Sequence, residues 1–107
     1  MASGRLAASA PPADTDTRLY QAPAGTLATV SVCCANRSGS DARVRVALAD
    51  STASAPSIAD FVEYDAALAP NVPLERTGLV VGPGQQIFVR ADAPDVSFVA
   101  YGIEGAA

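Results

Sequence analysis

Two carboxylates, Glu63 and Asp65, are spaced so that both lie on one face of a strand. Two neighbouring carboxyl groups could in principle act as the general acid and the general base of an enzyme. Nothing in the flanking sequence places this pair in a cleft, however, and Arg43 and Arg45 have the same spacing on another candidate strand. We therefore expect surface ion pairs between the two sets, each contributing about 0–1 kcal/mol.

The residue types on which most enzymes depend are missing. The chain has 107 residues and no histidine, and its seven basic residues are all arginine. It therefore lacks an imidazole base, a Schiff-base amine, a P-loop lysine and a histidine ligand for a metal. We predict that the protein is not an enzyme and that it holds no cofactor and no metal.

Three loop motifs are expected to be structural. The aspartates in 14–16 and 92–95 supply too few oxygens for calcium and are typical of Asx turns. Gly82-Pro83-Gly84 lacks the lysine and the helix of a phosphate loop, and it is predicted to be a β-turn. The net charge of −4 argues against nucleic acid and an anionic membrane as direct partners.

Cys33 and Cys34 are adjacent, and in a strand they point to opposite faces. One interpretation is two free thiols, one buried and one exposed. The alternative is a disulfide between subunits through the exposed thiol, which alternation identifies as Cys33. Two cysteines without histidine are too few ligands for a metal site.

The elements that must position these residues are strands. Helical periodicity is weak, and Pro or Gly interrupts short alternating segments at roughly 10–12-residue intervals. Half of the residues are hydrophobic and 17% are charged, which predicts a folded core. We predict an all-β antiparallel sandwich, or a jelly-roll-like fold, with about seven strands. They are placed at 17–21, 27–35, 42–49, 61–68, 72–81, 86–91 and 96–104.

The chain divides into an extended N-terminal arm, 1–13, and a single sandwich domain, 14–107. The arm has small residues and prolines, and it lacks the apolar run of a secretory signal. We therefore expect synthesis and folding in a cytoplasm. Alternation also predicts which residues of three strands face the core. They are Val30, Val32 and Cys34 in 27–35, Val44, Val46 and Leu48 in 42–49, and Val62, Tyr64 and Ala66 in 61–68.

The last strand is apolar on both faces. Phe98 and Ala100 lie on one side, and Val99, Tyr101 and Ile103 lie on the other. A small sandwich normally exposes one face of each sheet to water. The second face must therefore be covered by a loop or by another subunit, and the short chain favours a subunit.

The segment Thr17–Gly25 has a pattern of threonine, leucine or valine, tyrosine, and proline-alanine-glycine. In this pattern the chain resembles a group of small proteins encoded among the structural genes of tailed bacteriophages and prophages. The adjacent pair Cys33-Cys34 departs from the single cysteine of the pattern. The resemblance covers about nine-tenths of the chain and continues through Val30–Cys33, Asn36–Ser40, Val44–Leu48, Val62–Asp65, Leu74–Gly78 and Val99–Glu104.

This resemblance implies a β-sandwich without enzymatic activity that decorates a virion, at the neck or collar, the tail or the capsid. We expect a homo-oligomer that also contacts other virion proteins. Its predicted subunit interface comprises Val99, Tyr101, Ile103, Phe98, Arg5 and Leu6. The alternative is a receptor- or glycan-binding module, for which the available aromatic residues are Tyr20, Phe61, Phe88 and Tyr64.

Overall fold

The structure, a computed structural model, describes residues 2–107. One short 3-10 turn, Ile58–Asp60, precedes the fifth strand. The strands in chain order are β1 (Ser3–Ser9), β2 (Thr17–Gln21), β3 (Thr26–Asn36), β4 (Ala42–Ala49), β5 (Phe61–Leu68), β6 (Leu74–Val81), β7 (Gln86–Ala91) and β8 (Val96–Ala106).

Two antiparallel four-stranded sheets pack as a sandwich. Sheet A has the order β1-β8-β3-β6, and sheet B has the order β2-β7-β4-β5. This interleaving of the first and last strands is the jelly-roll arrangement. The predicted all-β sandwich is confirmed, with eight strands instead of about seven.

The eighth strand lies in the segment predicted to be an arm. β1 pairs antiparallel with β8 of the same chain, from Ser3 opposite Ile103 to Ser9 opposite Phe98. Its sequence of serine, glycine and alanine has too little hydrophobic alternation to predict a strand. Backbone pairing with β8, and partial burial of Leu6 and Ala7 against the core, hold it in the sheet.

The core lies between the two sheets, and valine and alanine are its commonest residues. β3 alternates as predicted, with Val30, Val32 and Cys34 buried. In β4, Val44 and Val46 are buried and Leu48 is half-buried against the same core. Each buried Val contributes about 1.5–3 kcal/mol, so these alternating runs fix the register of both strands.

The alternation predicted for β5 is wrong at Tyr64, whereas Val62 and Ala66 pack against the core as predicted. The pairing of β5 with β4 shifts twice, at Val44/Val46 and at Val46/Ala47, because β5 carries extra residues at both positions. Each extra residue reverses the side to which the following side chains point. Tyr64, predicted to face inward, is consequently 51% exposed.

The turn 36–40 joins two different sheets and is not a hairpin within one sheet, because β3 belongs to sheet A and β4 to sheet B. Asn36 is buried and holds this crossing. Its amide nitrogen donates to the carbonyl of Ser40 at 2.8 Å and to that of Leu68 at 2.9 Å. Its side-chain oxygen accepts from the backbone N–H of Ser38 at 3.0 Å. The asparagine thereby ties the end of β3 to the end of β5.

Candidate functional site

The outer face of sheet B is covered at one end by its own chain. Ala47, Ala49 and Phe88 point outward, yet they are buried beneath the half-buried side chains of Ala53 and Phe61. The loop that covers them is held by Gln86, whose amide nitrogen donates to the carbonyls of Asp50 and Ala53, both at 2.8 Å. This end of the sheet needs no partner.

The rest of that outer face carries charge and one exposed aromatic ring. The guanidinium of Arg45 binds the carboxylate of Asp65 at 2.7 Å and lies 4.2 Å from the centre of the Tyr64 ring. The Phe61 ring meets Tyr64 edge-on, with 5.0 Å between centroids. The hydrogen bond from Arg45 lowers the pKa of Asp65, which keeps this carboxylate ionised and unsuited to act as a general acid.

Glu63 does not join this cluster. Its carboxylate lies 3.6 Å from the guanidinium of Arg76, across the open edge of the sandwich between β5 and β6. The bulges of β5 turn Glu63 to the side of Val46, which faces the core. Arg43 instead donates to the backbone carbonyl of Asp65 at 3.2 Å. The four predicted partners therefore form one ion pair, Arg45–Asp65, and the two carboxylates face different arginines.

The loop motifs have structural roles. Asp14 and Asp16 lie 3.9 and 3.7 Å from Arg90, and the Asp92 carboxylate accepts from the backbone N–H of Arg43 at 2.9 Å. The predicted β-turn at 82–84 is confirmed by a 3.0 Å hydrogen bond from the N–H of Gln85 to the carbonyl of Gly82. Gly84 takes the positive φ of 75° that such a turn requires.

Next to this turn lies an open groove of about 530 Å³ without charged side chains. Throughout residues 2–107, His, Cys, Asp and Glu side chains form no group of three that would hold a metal ion. No helix within the same range has the length and apolar character needed to cross a bilayer.

The outer face of sheet A differs from that of sheet B because apolar side chains remain exposed along it. Ile103 is 67%, Val80 54% and Leu27 42% exposed. Thr29 stands between Ile103 and Val80, paired with one on each side. These residues form one continuous patch, which no loop of residues 2–107 covers. Of the two coverings expected for the second face of the last strand, a loop is therefore excluded for the described chain.

Toward the other end of this face, Tyr101 and Glu75 make a contact across β3. The hydroxyl of Tyr101 in β8 donates to the carboxylate of Glu75 in β6. This hydrogen bond raises the pKa of Tyr101. Cys33 stands between them on β3, paired with Val99 on one side and Glu75 on the other. Its thiol is free and half-buried.

The predicted interface residues separate into two groups. Val99, Tyr101 and Ile103 lie on the outer face of sheet A, and Arg5 is paired with Tyr101 on the same side. Phe98 does not belong to this surface, because it is fully buried in the core. Leu6 is also misplaced in the prediction, since the bulge between Arg5 and Ala7 turns its side chain toward the core.

The two cysteines also differ in access. Cys34 is buried in the core, where desolvation and then the nearby Cys33 and Glu63 raise its pKa to about 12. A disulfide to another chain is therefore open only to Cys33. Among the aromatic residues predicted for glycan contact, Tyr20 and Phe88 are buried, Phe61 is half-buried and Tyr64 is exposed.

Comparison with known proteins adds no relative: no protein-family model, no curated protein and no solved structure matches this chain. A functional assignment therefore rests on the geometry of the two outer faces.

Proposed function

We propose that the chain is a non-enzymatic structural subunit of a tailed-phage virion, at the neck or collar, on the tail or as a capsid decoration. It works by packing against copies of itself and other virion proteins, and it reaches the virion from the host cytoplasm. The observation that carries the proposal is the exposed apolar patch on sheet A. Exposed patches of this kind on a small domain mark interaction surfaces.

The contrast between the two faces supports a packing role. Sheet B uses the 50–57 loop and Phe61 to cover its own outward alanines, whereas sheet A leaves Ile103 and Val80 exposed to water. Burying the exposed parts of both side chains contributes about 2–4 kcal/mol of transfer free energy before the costs of association. The jelly-roll order is compatible with this role, since capsid subunits and lectins both use that architecture.

The test asks whether the chain is a component of particles. Tailed particles are induced from the strain that carries the gene, purified on a density gradient and probed with an antibody to this chain. We expect the wild type to band with the particles and the Ile103→Asp variant to be excluded. Ile58→Asp is the matched control, because Ile58 is 77% exposed and lies on the 3-10 turn. Absence of the wild-type chain from the particles would contradict the proposal.

A receptor- or glycan-binding module is the alternative, and one observation favours it. Tyr64 is an exposed aromatic ring beside the charged pair Arg45–Asp65, a combination that can stack on a sugar and bind its hydroxyls. One side of the ring is already occupied by Arg45. Binding in a glycan screen that is lost in Tyr64→Ala and kept in Ile103→Asp would favour this function over the structural one.

A further inference from the structure

The edges of both sheets are irregular, while their centres are regular. β3 and β8 pair without interruption from Thr26 to Asn36, and β4 and β7 pair without interruption from Val44 to Ala49. All four edge strands, β1, β2, β5 and β6, carry at least one extra residue relative to their inner neighbours. Bulged edges resist the addition of a further strand. Another protein therefore meets this domain more readily on a face than on an edge.

The outer face of sheet A has the charge distribution of a protein interface. Its two central strands, β3 and β8, direct no charged side chain of their own outward: the outward side chains are those of Leu27, Thr29, Ser31, Cys33, Ala35, Ser97, Val99, Tyr101 and Ile103. Charge lies at the rim: β1 carries Arg5, β6 carries Glu75, and Arg37 of the 36–40 turn donates to the hydroxyl of Ser97 at one end of β8. An apolar centre with a charged rim is the usual anatomy of a protein–protein contact.

The two margins are complementary to each other. Arg5 is exposed, and among the described residues no carboxylate lies within ion-pair distance of it. Glu75 is also exposed, and its Oε2 accepts from Tyr101, which leaves Oε1 directed to no described donor. A positive margin and a negative margin on opposite sides of one apolar face match a second, inverted copy of that face.

We propose that a second copy of this chain packs on the outer face of sheet A about a two-fold axis parallel to the strands. Such an axis places β1 of each copy over β6 of the other, so Arg5 and Glu75 meet twice. Along the strand direction, Arg5 is level with Ser31 and Glu75 is level with Cys33, two residues farther along β3. This offset is about 7 Å, a distance that the arginine side chain spans. This mode of self-association deepens the proposed structural role and rests on it.

The size of the face suits this partner. Four strands about 4.8 Å apart, with central strands of 11 residues at about 3.3 Å each, give an area of roughly 700 Å². A stable interface buries about 800 Å² per partner. If two copies overlap over the whole face, the area buried on each copy therefore approaches that of a stable interface. A partner that covered only part of the face would bury less.

The test uses charge reversal between two different molecules. Arg5→Glu places a second carboxylate against Glu75 in its own dimer, and Glu75→Arg places two guanidinium groups together. Each variant alone should therefore raise the dimer Kd at least about tenfold. In a one-to-one mixture of the two variants, the mixed dimer has one native contact and one contact with both charges reversed. Both contacts again join a guanidinium to a carboxylate, so the Kd of the mixed dimer should return to near the wild-type value. Sedimentation equilibrium in reductant measures each Kd without a contribution from a Cys33 disulfide.

Matched controls separate the contact from general effects. Arg18→Glu makes the same charge change on sheet B and should leave the dimer unchanged, because Arg18 is exposed on β2. Tyr101→Phe removes only the hydrogen bond to Glu75, so it reports how much of the Glu75→Arg effect arises within one chain. Circular dichroism establishes that each variant is folded.

A wild-type chain that stays monomeric at millimolar concentration would overturn this inference. So would single charge variants that dimerise normally, or a mixture that shows no recovery. Incorporation into particles is scored separately: a chain that enters particles without forming this dimer defeats the inference and leaves the structural role in place. A dimer with the expected charge dependence that is absent from particles defeats the structural role alone.

Discussion

The hydroxyl of Tyr20 in β2 donates a hydrogen bond to the carboxylate of Glu104 in β8, so one side-chain contact joins sheet B to sheet A. The other carboxylate oxygen of Glu104 accepts from the backbone N–H of Ala2 at 3.0 Å. Tyr20 is buried, whereas Glu104 is half-buried at the end of the sandwich. Glu104 therefore links three separate parts of the chain: the start of β1, β2 and β8.

Removing the hydroxyl of Tyr20 tests this link. Tyr20→Phe keeps the ring in the core and deletes one hydrogen bond to a charged acceptor, so we expect a loss of about 1–2 kcal/mol in the free energy of unfolding. Urea denaturation followed by circular dichroism measures it. Phe88→Leu is a control for aromatic packing, since the Phe88 side chain has no hydrogen-bonding group. A Tyr20→Phe variant as stable as the wild type would show that the contact contributes nothing.

The same pair gives the stability a defined pH dependence. The hydrogen bond from Tyr20, and then that from Ala2, lower the pKa of Glu104 below its usual value of about 4.3. The contribution of ionised Glu104 to the free energy of unfolding is therefore complete above about pH 4.3. It is lost as the pH falls through the pKa of Glu104 in the folded state. Burial and then the contact with Glu104 raise the pKa of Tyr20, so its contribution is lost on the alkaline side, as the pH rises above about 10.

Unfolding free energies measured from pH 2 to pH 6 should therefore fall less steeply on acidification in Glu104→Gln than in the wild type. Tyr20→Phe should flatten the alkaline side instead. An acid slope that is identical in Glu104→Gln and in the wild type would contradict the assignment.

At Gly102, the backbone of β3 leaves no room for a side chain on β8. A Cβ at this position would lie 1.9 Å from the carbonyl oxygen of Thr29, so the backbone of β3 or β8 would have to move. We expect Gly102→Ala to cost at least about 3 kcal/mol, a size typical of severe overpacking. Gly105→Ala is the control on the same strand, because no atom lies within 4 Å of its Cβ position. Thermal unfolding of both variants distinguishes steric conflict from a general effect of β8.

The two adjacent cysteines should behave differently toward a thiol reagent. Cys33 is half-buried and should react in the folded protein, whereas Cys34 should react only on unfolding, because it is buried and its pKa is raised to about 12. Cys34→Ser places a hydroxyl in the core and should cost about 1–3 kcal/mol. Cys33→Ser should change stability by less than about 0.5 kcal/mol. Rapid native reaction of both thiols would contradict the burial of Cys34.

Alternation in the sequence predicted the central strands well. In β3, the run of Val30, Val32 and Cys34 separates the core side from the outer side, because burial of one face penalises a one-residue slip. The outward position of Cys33 follows from the same pattern. Each central strand has a neighbour on both sides, and the two central strands of each sheet pair with each other without a bulge. The alternation in their sequences therefore matches the faces to which their side chains point.

The edge strands were predicted less well, for two physical reasons. β1 consists of small residues, and backbone pairing with β8 holds it in place more than side-chain burial does. β5 carries bulges, which change the facing of Tyr64 and Glu63 in a way that residue types do not reveal. The partner of Glu63, Arg76, lies on β6 in the other sheet, and no spacing rule connects residues across a sandwich.

The position of β8 also sets the order in which the protein is able to fold. β8 is synthesised after the other seven strands, yet it lies between β1 and β3 and is the partner of both. Until it emerges, β1 has no neighbour and β3 has a partner on one side only. Sheet A therefore closes only once β8 is available, through contacts between distant parts of the chain, and such topologies fold slowly. The apolar side chains of β3 are available to chaperones during that interval.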